Sequence, residues 1–181
     1  MSSPVGTYTL NSENGTLSVH TRRAGAAAKA GHDLLIEVGS WEGILELAED
    51  RAASSVTLTA DAGSLRVLDG TGGMTKLGDD DKVGIKQTID DDVLKGARVA
   101  FTSSGVRPSA DGRRLEVDGE LELRGRREPL SFALDLDESG RLSGSATLKQ
   151  TAWGIKPYSA LFGALKVADE VTVSVQAQLP G

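Results

Sequence analysis

Residues 114–125 read Arg114-Leu115-Glu116-Val117-Asp118-Gly119-Glu120-Leu121-Glu122-Leu123-Arg124-Gly125, alternating a charged residue with an apolar residue or glycine throughout. Arg114, Glu116, Asp118, Glu120, Glu122 and Arg124 fall on one face. Leu115, Val117, Gly119, Leu121, Leu123 and Gly125 fall on the other. A period of two predicts a β-strand with one wet and one dry face. Asp118-Gly119 resembles a turn dipeptide, but the alternation passes through it in phase. Gly119 therefore reads as a bend inside one strand, a common use of glycine at a barrel corner.

The pattern returns along the chain. Leu17, Val19 and Thr21 alternate with polar residues, and Leu34, Ile36 and Val38 follow. Trp41, Gly43, Leu45 and Leu47 are set against Glu42 and Glu46, and Val56, Leu58 and Ala60 against Thr57 and Thr59. Val99 and Phe101 lead into Thr102 and Ser103. Further sets are Leu130, Phe132, Leu134 and Leu136, then Leu142, Gly144, Ala146 and Leu148, then Val171 to Leu179. Asp111-Gly112 and Ser139-Gly140 have hairpin chemistry. One stretch differs: Ile85, Ile89 and Val93 recur every fourth residue, a helical stripe between 79 and 95. Asp79, Asp80 and Asp81 suit its N-terminus, and Asp90, Asp91 and Asp92 mark a second start or a break.

These elements predict an all-β fold: an antiparallel, up-and-down, lipocalin-like β-barrel of about eight strands with a short helical insertion. Without repeats or linkers, residues 1–181 read as one domain. The net charge of −6 argues against a nucleic-acid partner. No stretch is apolar for the roughly 18 residues a transmembrane helix needs. Met1-Ser2-Ser3-Pro4 lacks the basic and apolar regions of a signal peptide, so the expected location is cytoplasmic. The chain has no cysteine, which removes disulfides, thiolate metal sites and a cysteine nucleophile.

The dry faces are aliphatic almost everywhere, so a sheet that rolls up encloses an oily interior. Gly43, Ala60, Gly119, Gly144, Ala146 and Ala177 are small inward positions, and aromatic residues are only 4% of the chain, leaving few rings to plug it. A solid core in which the glycines only relieve curvature is the other reading. The stretch from Trp153 to Lys166 is long, apolar and not alternating. It is either a mouth or lid of the cavity, or a plug sealing one end.

The chain resembles the YceI-like family of lipocalin-type barrels. The resemblance rests on Tyr8-Thr9-Leu10-Asn11, Phe101-Thr102-Ser103, residues 117–125, Trp153-Gly154-Ile155, and 165–173 from Leu165 to Val173. It implies binding of a polyisoprenoid or other long-chain lipid in an internal tunnel. The family's arginine before the aromatic-glycine turn is Gln150 here, and Ala152 stands where an aspartate is common. The His-Ser pair often present in the first strand is missing around Asn14-Gly15. With the resemblance, the dry faces nominate as ligand-contacting residues Leu34, Ile36, Trp41, Leu45, Phe101, Leu121, Leu123, Phe132, Leu134, Leu148, Val173 and Val175. The long connection adds Trp153, Tyr158 and Phe162. Head-group candidates are His32, Gln150 and Lys156.

Catalytic signals are sparse. His20 lies on a polar face, whereas His32, in Gly31-His32-Asp33, stands at a predicted barrel rim. There it holds a structural hydrogen bond, contacts a head group, or acts with Asp33 as an acid-base pair on a hydrophobic substrate. No nucleophile elbow is present, and neither metal-ligand spacing nor a calcium loop occurs around the histidines or the acidic triplets. Gly70-Thr71-Gly72-Gly73 lacks the lysine and hydroxyl of a phosphate loop. The expectation is a non-enzymatic carrier of a long apolar ligand, with no cofactor or metal. A barrel enzyme and a scaffold with a solid core are the alternatives, and the sequence leaves a homodimer open.

Overall fold

The structure, a computed structural model, describes residues 4–160, 163 and 165–180. The chain opens with β1 (Gly6–Asn11), β2 (Gly15–Thr21), β3 (Arg23–Ala24), β4 (Asp33–Val38), β5 (Trp41–Leu47), β6 (Ser55–Asp61) and β7 (Leu65–Thr71). Helix α1 (Asp79–Thr88) follows and runs without a restart into a π-helical stretch, Ile89–Leu94. Then come β8 (Arg98–Pro108), β9 (Arg114–Leu123), β10 (Arg126–Leu136), β11 (Arg141–Lys149), β12 (Ser159–Ala160), β13 (Leu165–Val167) and β14 (Glu170–Gln178).

Eleven of these strands form one antiparallel sheet in the order β1-β5-β6-β8-β9-β10-β11-β14-β2-β4-β7. That exceeds the expected number of about eight, for a geometrical reason. β1 pairs with β5, and β2 pairs with β4 in nearly the same register, displaced only by the Asn11–Asn14 turn. β5 pairs with β6, and β4 with β7, in the same continuous way. Thus β1–β2, β4–β5 and β6–β7 are three long strands, each bent sharply and divided by its bend. With β8, β9, β10, β11 and β14 they make a ring of eight, closed where β2 pairs with β14 and β6 with β8. The curling follows from strand twist together with the bends.

The alternation at 114–125 ends two residues before its sequence pattern does. Strand β9 stops at Leu123, and Arg124-Gly125 form the two-residue turn to β10, with φ of 53° and 75°. A tight hairpin of this kind requires left-handed backbone at both positions, which glycine accepts freely and arginine at a cost. Gly119 does lie within the strand. A Cβ there would come 2.3 Å from the Thr102 carbonyl oxygen and 2.5 Å from Phe101 Cζ, and β8 carries an irregularity between Ser103 and Gly105 opposite it. The Phe101 ring occupies the space that a side chain would take. The Asp111-Gly112 and Ser139-Gly140 turns form as expected, with φ of 70° and 81° at their glycines.

The dry faces build one core. Along β9, Leu115, Val117, Leu121 and Leu123 are buried while Glu120 is exposed. The wet face carries ion pairs such as Arg107–Asp118 at 3.2 Å and Arg114–Asp135 at 3.0 Å. Exposed pairs of this type contribute about 1 kcal/mol or less each.

Candidate functional site

The ring has two different ends. At one, the β8–β9 and β10–β11 turns and the chain after β14 lie close together: the Leu136 and Leu179 N–H groups donate to the Arg113 and Gly140 carbonyls. Beneath them Leu47, Val106, Leu115, Leu136 and Leu179 fill the cross-section, all buried. The other end is bordered by the end of β2, the start of β4, the end of β7, the β9–β10 turn, and the β11–β14 connection. There the interior holds a cavity of about 740 Å³.

Its wall is aliphatic. Among the described residues, every partly buried apolar residue packed against the core lines this cavity, including Val19, Leu58, Leu130, Val171, Val173 and Val175. Gly43, Ala60 and Ala146 also line it, so small inward residues do leave room. Gly144 borders it too, but a Cβ there would lie 2.6 Å from Leu134 Cδ2 and 2.7 Å from the Ala133 carbonyl oxygen, so its space is already taken. Gly119 and Ala177 are not among the lining residues. Gly119 is covered by Phe101, and Ala177 packs on Gly15, where a Cβ would lie 2.8 Å from the alanine Cβ.

Three pieces of chain frame the opening. The first is α1 with its π-helical extension, which presents Ile85, Ile89 and Val93 to the cavity. The acidic triplet stands in the first helical turn, and the Gly78 N–H donates to the Asp81 carboxylate at 2.9 Å. The second is the 72–77 loop. His32 Nε2 donates to the Thr75 carbonyl at 2.7 Å, and Gly72 and Gly73 lie against Arg23 and His32. Their φ values of 80° and 74°, with distances of 1.6 and 2.4 Å from an added Cβ to Arg23 Nη1 and His32 Nε2, demand glycine at both positions. These glycines close a rim rather than cradle a phosphate.

The third piece begins with the short helical turn Gln150–Trp153. Ladder pairing between β10 and β11 covers only Ala133–Leu136 against Leu142–Ser145, so the two strands separate toward the open end. The Gln150–Trp153 turn packs against both strands there. The Trp153 indole N–H donates to the Leu121 carbonyl at 2.8 Å, and Gln150 Nε2 donates to the Ala168 carbonyl at 3.0 Å. The Thr151 N–H and hydroxyl donate to the Asp169 carboxylate at 2.8 and 2.6 Å. These bonds, the Thr151 side-chain bond first, hold the Asp169 pKa below its ordinary value. Beyond the turn, β12, β13 and β3 form a small second sheet. Trp153, Ile155, Tyr158, Leu165 and Val167 line the cavity instead of filling it.

Of the residues nominated from sequence, Leu34, Ile36, Trp41, Leu45, Phe101, Leu121, Leu123, Phe132, Leu134, Leu148, Trp153, Tyr158, Val173 and Val175 border the cavity. Phe162 lies outside the described residues. His32 and Gln150 also border it, each with the hydrogen bond given above, whereas Lys156 is exposed and is not among the lining residues. His32 and Asp33 have separate partners: Asp33 Oδ1 accepts the Arg23 N–H at 2.8 Å. Sequence reasoning missed Arg23, Leu77 and the inner face of α1 as lining residues. The fourfold spacing of Ile85, Ile89 and Val93 was the available signal for the last of these. Among the described residues no cluster of three or more His, Asp or Glu could hold a metal ion.

An antiparallel barrel closed at one end, with an apolar cavity open at the other, defines a lipocalin-like architecture. The family model described as YceI-like domain matches residues 8–179, and the chain belongs to that family. Among solved structures it is similar to Burkholderia cenocepacia BcnA, at 18% identity and a TM-score of 0.65, over 90% of this chain and 94% of that one. It is also similar to a mutant CJ YCEI protein solved with a monobromobimane guest structure. That match has 10% identity and a TM-score of 0.58, over 81% and 84% of the two chains. At these identities the likeness is one of fold. Comparison with curated proteins gives no match.

Proposed function

We propose that this protein binds and carries a long apolar molecule, of the polyisoprenoid, isoprenoid-quinone or fatty-acid class, inside the barrel without chemically altering it. The observation that carries the reading is the aliphatic cavity of about 740 Å³ open at one end, a size typical of sites for small organic ligands. Each methylene moved from water into such a wall contributes roughly 0.8 kcal/mol. A tail of many carbons therefore outweighs one or two rim contacts. Catalysis is less well supported, because His32 and Asp33 are each engaged with backbone groups rather than with one another.

Native mass spectrometry of the freshly purified protein tests the reading, with a lipid-sized adduct as the expected result. Leu123→Arg gives a second test. It places a cation in the cavity wall at a cost of several kcal/mol if unpaired, and both the adduct and the melting temperature should fall. Retention of both would contradict the reading, and a modified product released from an added lipid would favour a barrel enzyme.

A further inference from the structure

We propose that the packed end of the barrel makes the cavity length-selective: it encloses about five isoprene units of a tail and leaves any further units outside. The proposal rests on the carrier reading and adds a size class to it. The cavity has a floor. Leu45 and Leu142 line it, yet each is only 1% exposed, and below them Leu47, Leu115 and Leu136 fill the interior. Along β14, Val171, Val173 and Val175 line the cavity and Ala177 does not. A tail entering from the α1 side therefore meets packed side chains before it reaches the far turns. If a chain carbon with its hydrogens needs about the ~30 Å³ that a water occupies in the liquid, 740 Å³ holds roughly 25 carbons. Carbons beyond that number stay in water and add little.

The test is a series of all-trans prenyl alcohols from three to nine units. Both tryptophans of the chain, Trp41 and Trp153, line the cavity, so their fluorescence reads occupancy and native mass spectrometry reads stoichiometry. Each enclosed carbon should tighten binding up to about 4-fold. The expected curve therefore steepens by at least about tenfold per unit through about five units, then changes by less than about twofold per unit. An equally steep gain through nine units would overturn the length limit and leave the carrier reading intact. Failure of every alcohol to bind would defeat the carrier reading itself. A phenyl ring has about the carbon count of one isoprene unit. Ala146→Phe, which adds a ring to the wall, should move the break about one unit shorter, and Phe132→Ala should move it about one unit longer. A break that stays in place in a folded variant of either kind would show that cavity volume does not set it.

Discussion

The two ends of this barrel are built from the same strands with the same alternation, yet one is solid and the other hollow. On β9, Leu115 and Val117 at the closed end are each 1% exposed. On β14, Val171 and Val173 at the open end are only half-buried and face the cavity. The difference comes from what the inward positions carry and from how the strands continue. At the closed end, leucines and valines from neighbouring strands meet across a narrowing ring. At the open end, Gly43, Ala60 and Ala146 withhold volume, and β10 separates from β11. Stability is thereby concentrated where the side chains interlock, and open space is kept where they do not.

The largest expected effect tests that division directly. Leu115→Ala should cost about 2–5 kcal/mol, the usual range for truncating a fully packed leucine. Val173→Ala loses two carbons whose surface already faces a void and should cost about 1 kcal/mol or less. Urea denaturation of the ligand-free protein compares them. Equal costs would mean that the open end is packed as tightly as the closed one.

A smaller effect separates rim from wall. His32→Ala removes the bond to the Thr75 carbonyl and should reduce stability by about 0.5–1.5 kcal/mol. The affinity for a prenyl alcohol should fall by less than about fivefold, because the wall residues are unchanged. Loss of all binding in a folded His32→Ala protein would return His32 to the role of head-group ligand or acid-base residue and reverse the ranking of rim and wall.

The same contrast explains what was legible in the sequence. Period-two alternation reports which side of a strand is dry, so the direction of the inward faces from Leu17 to Val175 is legible. It does not report whether a dry side chain touches another or an open space, since that depends on partners distant in sequence. Gly119 and Gly43 show the limit. Both are inward glycines, but Phe101 fills the space over one while the other lines the cavity. The bends dividing three long strands and the turn at Arg124-Gly125 depend on backbone geometry that alternation does not encode. The rim was hardest to read. Arg23, Gly72 and His32 are far apart in sequence and meet only because β2, β4 and β7 end together.

The smallest expected effect concerns acid, and it distinguishes the ends through one carboxylate. Asp111 and Asp137 in the closed-end turns have pKa values below the ordinary 3.8, chiefly through hydrogen bonds from Ser109 and Ser139, and Asp169 at the open end does so chiefly through Thr151. A carboxylate with a lowered folded pKa contributes its full stabilisation above the ordinary value and loses it as pH falls through the lower folded value. Asp111 and Asp137 are exposed and Asp169 is only half-buried, so the global effect is small. The local effects differ. At the closed end the turns rest on packed leucines, whereas Asp169 ties down the turn that carries Trp153 over the gap between β10 and β11. In a Trp41→Phe background, where Trp153 is the single tryptophan, its fluorescence should be steady from neutral pH to about pH 4 and change below that. Asp169→Asn should remove that acid step and show a loosened signal already at neutral pH. Persistence of the full acid step in Asp169→Asn would assign it to the closed-end turns or to general acid unfolding, and the open end would then not be the part that acid loosens first.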